Sequence, residues 1–343
     1  MVKMINKSIK DGIISMFKVN FKVKPSESIL ILSDYPTEDD LINLSTNQIN
    51  EMIQRIYLAR DIYEVGINLG YNIFLKLYPA TGQSGKEIPN DIADLMLKYD
   101  IFIAITTYSL THTTARLNAT ENMKRGASCP GILPQMFGKE GPMQVDYNLI
   151  SKFTIDLAEK VNEASKGLIT APNGTNVEFR INPKSCEYDT GIIDSPGDFS
   201  NLPAGEAYLA PMQNSTNGTL VVSKGWFKGL KKDMSFKIEN GLVQSIEGGG
   251  EIGEKFNNLL FSKNIDELIS LSRRNIAEIG IGTNPNAKNP LNILEAEKIK
   301  GTCHVAIGDN HTFSGGTVES DIHIDFVIPN ARLFLDEEEI KLN

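Results

Sequence analysis

Between Glu27 and Tyr108 apolar runs alternate with segments of helical period, and that alternation restricts the available folds more than any other feature of the chain. "ESILILSD" (27–34), "YNIFLKLYPATG" (71–82) and "DIFIAITTY" (100–108) are short apolar runs ended by polar or turn residues. "TNQINEMIQRIYLARDIYEVGINLG" (46–70) and "IPNDIADLMLKY" (88–99) space their apolar residues for one face of a helix. Strand, helix, strand, helix, strand in that order predicts parallel strands joined by right-handed crossovers, with helices on the sheet faces. Ligand sites in such sheets favour the carboxyl ends of the strands. "TTYSLTHTTAR" (106–116) falls at one of those ends and leads into a helical pattern, with His112 in the turn. No Gly-rich phosphate loop follows the first strand. "IEGGGEIG" (246–253) follows a hairpin-like stretch and reads as a flexible loop.

A long helical segment, "VDYNLISKFTIDLAEKVNEASKG" (145–167), closes this part, and the texture then changes. "LITAPNGTNVEFRIN" (168–182), "GTLVVSKGWF" (218–227) and "MSFKIENGLVQSIEG" (234–248) are short strands with Asn-Gly turns, a strong hairpin signal. At 343 residues the chain exceeds one small core. The expected fold is an α/β N-terminal domain with a mainly parallel sheet over residues 1–167. An α+β metal-binding domain is expected over residues 168–343.

A formal charge of -9 argues against a partner held by phosphates, so no nucleic acid is expected. Cys129, Cys186 and Cys303 are odd in number and scattered, which speaks against a disulfide framework. Nothing approaches a membrane-spanning apolar stretch, so the expected compartment is the cytoplasm, with no membrane partner.

Histidine is rarer and more telling. The chain has 4, and His304, His311 and His323 fall in one stretch. In "ESDIHIDFVI" (319–328), Ile322, Ile324 and Phe326 alternate with Asp321, His323 and Asp325, so an imidazole and a carboxylate share one face of a strand. Glu206 in "NLPAGEAYLAP", Glu278 in "NIAEIGIGTNPNA" and His304 in "GTCHVAIGD" likewise interrupt small or apolar runs. Each has a structural alternative: a turn or cap for Glu206, a helix end for Glu278, a hydrogen-bonded core position for His304. A buried ionised carboxylate costs several kcal/mol unless paired or metal-bound. Two His and three carboxylates match the ligand demand of a two-metal site, with metals ~3.5–4 Å apart. Such mixed N and O ligands suit Zn, Co, Mn or Fe.

"PAGEAYLAP", "NIAEIGIGTNP", "GTCHVAIGDNHTFSGG" and "SDIHIDFVI" resemble successive signatures of the aminopeptidase T and aminopeptidase S family of metallopeptidases, over roughly residues 200 to 330. The resemblance implies a two-domain aminopeptidase that hydrolyses N-terminal peptide bonds of a small peptide substrate. Its two divalent ions (Zn, Co or Mn) would share a bridging water and be held by Glu206, Glu278, His304, His323 and Asp325. Where that family has a Tyr, seven residues beyond the first metal His, this chain has His311; the resemblance makes it a candidate catalytic contact, and an exposed loop residue is the alternative. The spacing from His304 to His323 is shorter than in typical members. A homodimer is left open. The iron-dependent dioxygenases that open 2,5-dihydroxypyridine are similar to short members of the same fold. That second resemblance implies one Fe held by His304, His323 and Asp325. It also implies a substrate-facing His112 in "SLTHTTAR", for which a helix-capping or surface role is the alternative.

Overall fold

The apolar runs become strands, and two of them, Ser28–Tyr35 and Ile101–Ile105, are buried on both faces. In this computed structural model, which describes residues 5–342, Ser28–Tyr35, Asn72–Pro79, Ile101–Ile105, Arg125–Ser128 and Phe199–Asn201 form a five-stranded sheet. Every neighbouring pair in it is parallel. Successive side chains point to opposite faces, and both faces of the central strands are covered. Ile29, Ile31, Ile101 and Ile103 pack with Phe17, Leu58 and Ile62, whereas Leu30, Leu32, Phe102 and Ala104 pack with Ile92, Met96 and Ala119. The helix Thr46–Asn68 starts at a capping box, in which Ser45 and Gln48 satisfy each other's backbone N–H groups.

Two compact units divide the chain: Met1–Ser151 with Thr190–Ala204, and Lys152–Asp189 with Gly205–Asn343. The parallel sheet belongs to the first. The second holds two antiparallel sheets. One runs in the order Leu242–Gly248, Met234–Glu239, Asn217–Val222, Asn176–Arg180, Lys166–Thr170, Arg332–Leu335, Glu338–Ile340. The other runs His323–Ile328, Cys303–Gly308, Ile276–Gly282, Glu206–Leu209, Glu187–Asp189. The chain is thus a mixed α/β fold with one parallel and two antiparallel sheets. The turn between Met234–Glu239 and Leu242–Gly248 has Asn240 at φ 51° and Gly241 at φ 73°, the left-handed pair a two-residue hairpin needs.

The glycines of "IEGGGEIG" are ordered. Gly248, Gly249 and Gly250 take φ values of 77°, 72° and 57°, which turns the strand directly into the helix Glu251–Phe261. Among the described residues no helix is long and apolar enough to cross a membrane.

Candidate metal centre

Strand register decides which side chains meet. In the five-stranded antiparallel sheet Glu278 lies opposite Ala306 and Ala306 opposite Asp325; Gly280 lies opposite His304, and Gly308 opposite His323. On the other side Gly282 faces Glu206, Gly280 faces Tyr208, and Glu187 and Asp189 face Tyr208 and Glu206. Directly opposed residues share a face. One face therefore carries Glu187, Asp189, Glu206, Tyr208, Glu278, His304, His323 and Asp325, with Gly and Ala between them. The other face holds Leu209, Ile279, Ile281, Val305, Ile307, Phe326 and Ile328 in the core. Core burial on one side thus aims the polar set to the other.

A bulge makes the pattern possible at its centre. Ile276 and Glu278 are two apart and would share a face in a regular strand. The register shifts between them, so that Ile276 pairs with Ile307 and Glu278 with Ala306. Ile276 stays with the core while Glu278 turns to the polar face. Gly280 is required by a close approach: a Cβ there would lie 2.0 Å from Cε1 and Nε2 of His304.

All five sequence-predicted metal residues come together. Glu206, Glu278 and His304 each bring one ligand atom to within 4.8 Å of the others, and so do Glu278, His323 and Asp325. Glu278 is shared: its Oε1 lies 3.1 Å from Nε2 of His304 and its Oε2 lies 3.1 Å from Nε2 of His323. His323 Nδ1 is 2.7 Å from the carbonyl oxygen of Asp309, and Oδ1 of Asp325 is 3.5 Å from its Nε2. The other two predicted residues are in neither group. His311 is exposed on the loop after Cys303–Gly308, with Nδ1 at 2.8 Å from Asp309 Oδ2. His112 belongs to the first unit, in the turn before the helix Thr114–Glu121.

The residue that sequence reasoning missed is Lys298. Its Nζ is buried against Oε1 of Glu206 and lies 3.2 Å from Oε2 of Glu297. "EAEKIKG" (295–301) reads as a solvated charged stretch, so nothing local marks this lysine as internal.

The electrostatics of the group call for positive charge. Burial disfavours the His304 imidazolium, yet the hydrogen bond to Glu278 and the surrounding carboxylates push it up to about 9. Burial and the nearby Asp325 push Glu297 up to about 8. Burial alone would raise Glu278; the two imidazoles outweigh it and hold that carboxyl well below its usual range. Oε2 of Glu206 and Nδ1 of His304 are buried with no hydrogen-bond partner among the described residues. A carboxylate pushed toward its protonated form, and an orphaned carboxylate oxygen nearby, fit a cation site.

A family comparison decides between the two resemblances. The model of the NicX family, 2,5-dihydroxypyridine 5,6-dioxygenase, matches residues 13–342. The chain belongs to that family. The 2,5-dihydroxypyridine 5,6-dioxygenase of Pseudomonas putida is 28% identical over 174 residues, a match covering 47% of this chain and 47% of that protein, so by sequence the chain spans about half of its relative. The solved structure of 2,5-dihydroxypyridine dioxygenase from Pseudomonas putida superposes with a TM-score of 0.73 at 17% identity, covering 97% of this chain and 95% of that one. Wild-type AmpT of Thermus thermophilus superposes with a TM-score of 0.66 at 12% identity, covering 95% and 94%. At such identities both structures establish the fold alone.

The aminopeptidase reading is therefore corrected. Family membership and the named relative point to an oxidoreductase and not to a hydrolase or protease. The error has a physical source. The motifs that resembled a peptidase are the strands that build the polar face, and the dioxygenase and AmpT share the fold that those strands belong to. A metal-binding arrangement is common ground for both readings.

Proposed function

We propose that this dioxygenase-family chain opens a hydroxylated pyridine ring with O2, using a single ferrous ion held by Glu278, His323 and Asp325. The observation that carries the reading is the family match across residues 13–342, joined to a triad whose ligand atoms lie within 4.8 Å of one another. Histidine tautomers favour this triad over one containing His304. The Nδ1–H of His323 donates to the Asp309 carbonyl at 2.7 Å, which leaves the Nε2 lone pair for a metal. His304 has no such partner at Nδ1. Its Nε2–H donates to Glu278 and holds that carboxylate in place.

Bound ferrous iron supplies open positions for oxygen and substrate and the one-electron chemistry that O2 requires. The chain's residues do the rest. Phe313 sits edge-on to His323 with ring centroids 5.7 Å apart, and Tyr208 lies 5.3 Å from Phe313, so aromatic rings flank the triad. Such a wall suits a flat heteroaromatic ring. In the overall reaction the bond between ring carbons 5 and 6 breaks and both atoms of O2 enter the product, so no external reductant is consumed.

The test is an oxygen-electrode assay. Protein loaded anaerobically with Fe(II) should consume one O2 per 2,5-dihydroxypyridine, with loss of the ring absorbance. His323→Ala should lose both bound iron and turnover. Iron-loaded protein that leaves the ring compound and O2 untouched would sink the proposal.

A further inference from the structure

We propose that the buried ammonium of Lys298 stands where a second metal ion would otherwise sit, so that Glu206 is committed to an internal ion pair and the cluster holds one divalent cation. The inference rests on reading Glu278, His323 and Asp325 as the metal site, and it concerns the other triad, Glu206, Glu278 and His304. Those three residues bring ligand atoms to within 4.8 Å of one another and are all buried, which by itself describes a second metal position.

Lys298 answers that demand from inside the protein. Its side chain is 1% exposed, and its Nζ contacts Glu206 Oε1 and lies 3.2 Å from Glu297 Oε2. Asp189 also faces it, paired with Glu206 across the strands. A dication at Glu206 and an ammonium on the same oxygen would repel each other at short range in a medium that screens poorly. One or the other occupies the position.

The backbone is built to deliver the lysine. Lys298 follows the short helix Ile293–Ala296, and its carbonyl accepts from the Asn284 N–H at 2.8 Å. The segment lies so close to the strand Ile276–Gly282 that a Cβ on Gly282 would meet Ile299 O at 2.2 Å and Glu297 O at 2.8 Å. Gly282 is the residue paired with Glu206. The missing side chain at 282 therefore lets the loop carry Lys298 onto the carboxylate beside it.

Oε2 of Glu206 makes no hydrogen bond even with the ammonium in place. Without Lys298 the buried Glu206 carboxylate, beside Glu278, would keep only the His304 imidazole, 3.7 Å from its Oε2, to offset its charge. Such a group binds a divalent ion readily.

The experiment counts metal ions. The full chain, freed of metal, is titrated calorimetrically with Mn(II) and separately with Zn(II), and bound metal is measured after desalting. The parent should take one ion per chain, Lys298→Met two, and Lys298→Arg one. Lys298→Met should also gain a larger rise in Tm from added Mn(II) than the parent does. Two ions in the parent, or one in a folded Lys298→Met, would overturn the inference. If Lys298→Met does not fold, Glu206→Gln decides. Its metal affinity should stay within about threefold of the parent, whereas a fall of about tenfold or more is what loss of a metal ligand produces and would overturn the inference. Iron-dependent oxygen uptake by the parent keeps the two ideas apart. Uptake with an unchanged ion count rejects the lysine's role alone, and a count rising from one to two without uptake rejects the ring-opening reaction alone.

Discussion

His304 and His323 both present Nε2 to Glu278, each at 3.1 Å, and what separates them is the other nitrogen. His323 is anchored at Nδ1 by the Asp309 carbonyl, while His304 is held by packing, with its ring filling the space above Gly280. Gly280→Ala would place a methyl group 2.0 Å from that ring, so the imidazole must move and Glu278 loses the donor that holds its Oε1. The expected cost is about 1–3 kcal/mol of stability from overpacking. Metal affinity should fall roughly tenfold, as when an orienting partner is lost. Urea denaturation and a metal titration read the two effects. A variant matching the parent in both would show that His304 does not position Glu278.

At the level of elements, the strand His323–Ile328 serves two masters. Its odd-numbered His323 and Asp325 face the polar cluster, and Phe326 packs against Phe227, Phe236 and Phe256 at centroid distances of 5.6, 4.8 and 5.3 Å. Phe326→Ala should therefore cost about 3–5 kcal/mol in chemical denaturation. Below the denaturation threshold the metal stoichiometry should match the parent, because the opposite face is untouched. A loss of metal in folded Phe326→Ala would mean that the two faces are not separable in this way.

The parallel sheet has its own electrostatic clasp. Asp100 accepts from both the N–H and the hydroxyl of Ser28 at 2.8 Å, joining the starts of two neighbouring strands. The Ser28 backbone hydrogen bond holds its carboxyl below the ordinary aspartate range. A depressed carboxylate adds stability above its unfolded pKa and loses it as pH falls through the folded one. Asp100→Ala should cost about 1 kcal/mol near neutral pH, allowing for the exposure of the group. The gap between variant and parent should close below pH 3.8. A gap of constant size across that range would assign the loss to packing instead of charge.

For the whole molecule, the chain leaves the first unit after Ser151, returns for Thr190–Ala204 and leaves again, and every residue of the polar cluster lies in the second unit. Metal removal should consequently act unevenly. Chelation followed by hydrogen exchange should speed exchange in Glu206–Leu209, Ile276–Gly282, Cys303–Gly308 and His323–Ile328. Ser28–Tyr35 and Ile101–Ile105 should exchange as before. Equal acceleration in both sets would contradict a metal held only by the second unit.

Local periodicity determined the elements. Runs such as "ESILILSD" and "DIFIAITTY" fold as strands because both faces of a parallel sheet are buried, and that demand is written residue by residue. The Asn-Gly hairpin at 240–241 was legible for the same reason: its backbone conformation is a property of two adjacent residues. The polar cluster was legible as composition, because burying Glu278 or His304 among apolar neighbours is costly unless something offsets it. What the cluster does was not legible. The dioxygenase and AmpT share the fold that the strands of the cluster build, and the peptidase resemblance rests on those strands. Only strand register placed Glu278 between two imidazoles, and only a bulge freed it from the face of Ile276. Lys298 lay furthest from view. Its burial depends on a loop docking against Gly282, a contact between residues with no local pattern in common, and a charge in a charged stretch looks solvated until the fold closes over it.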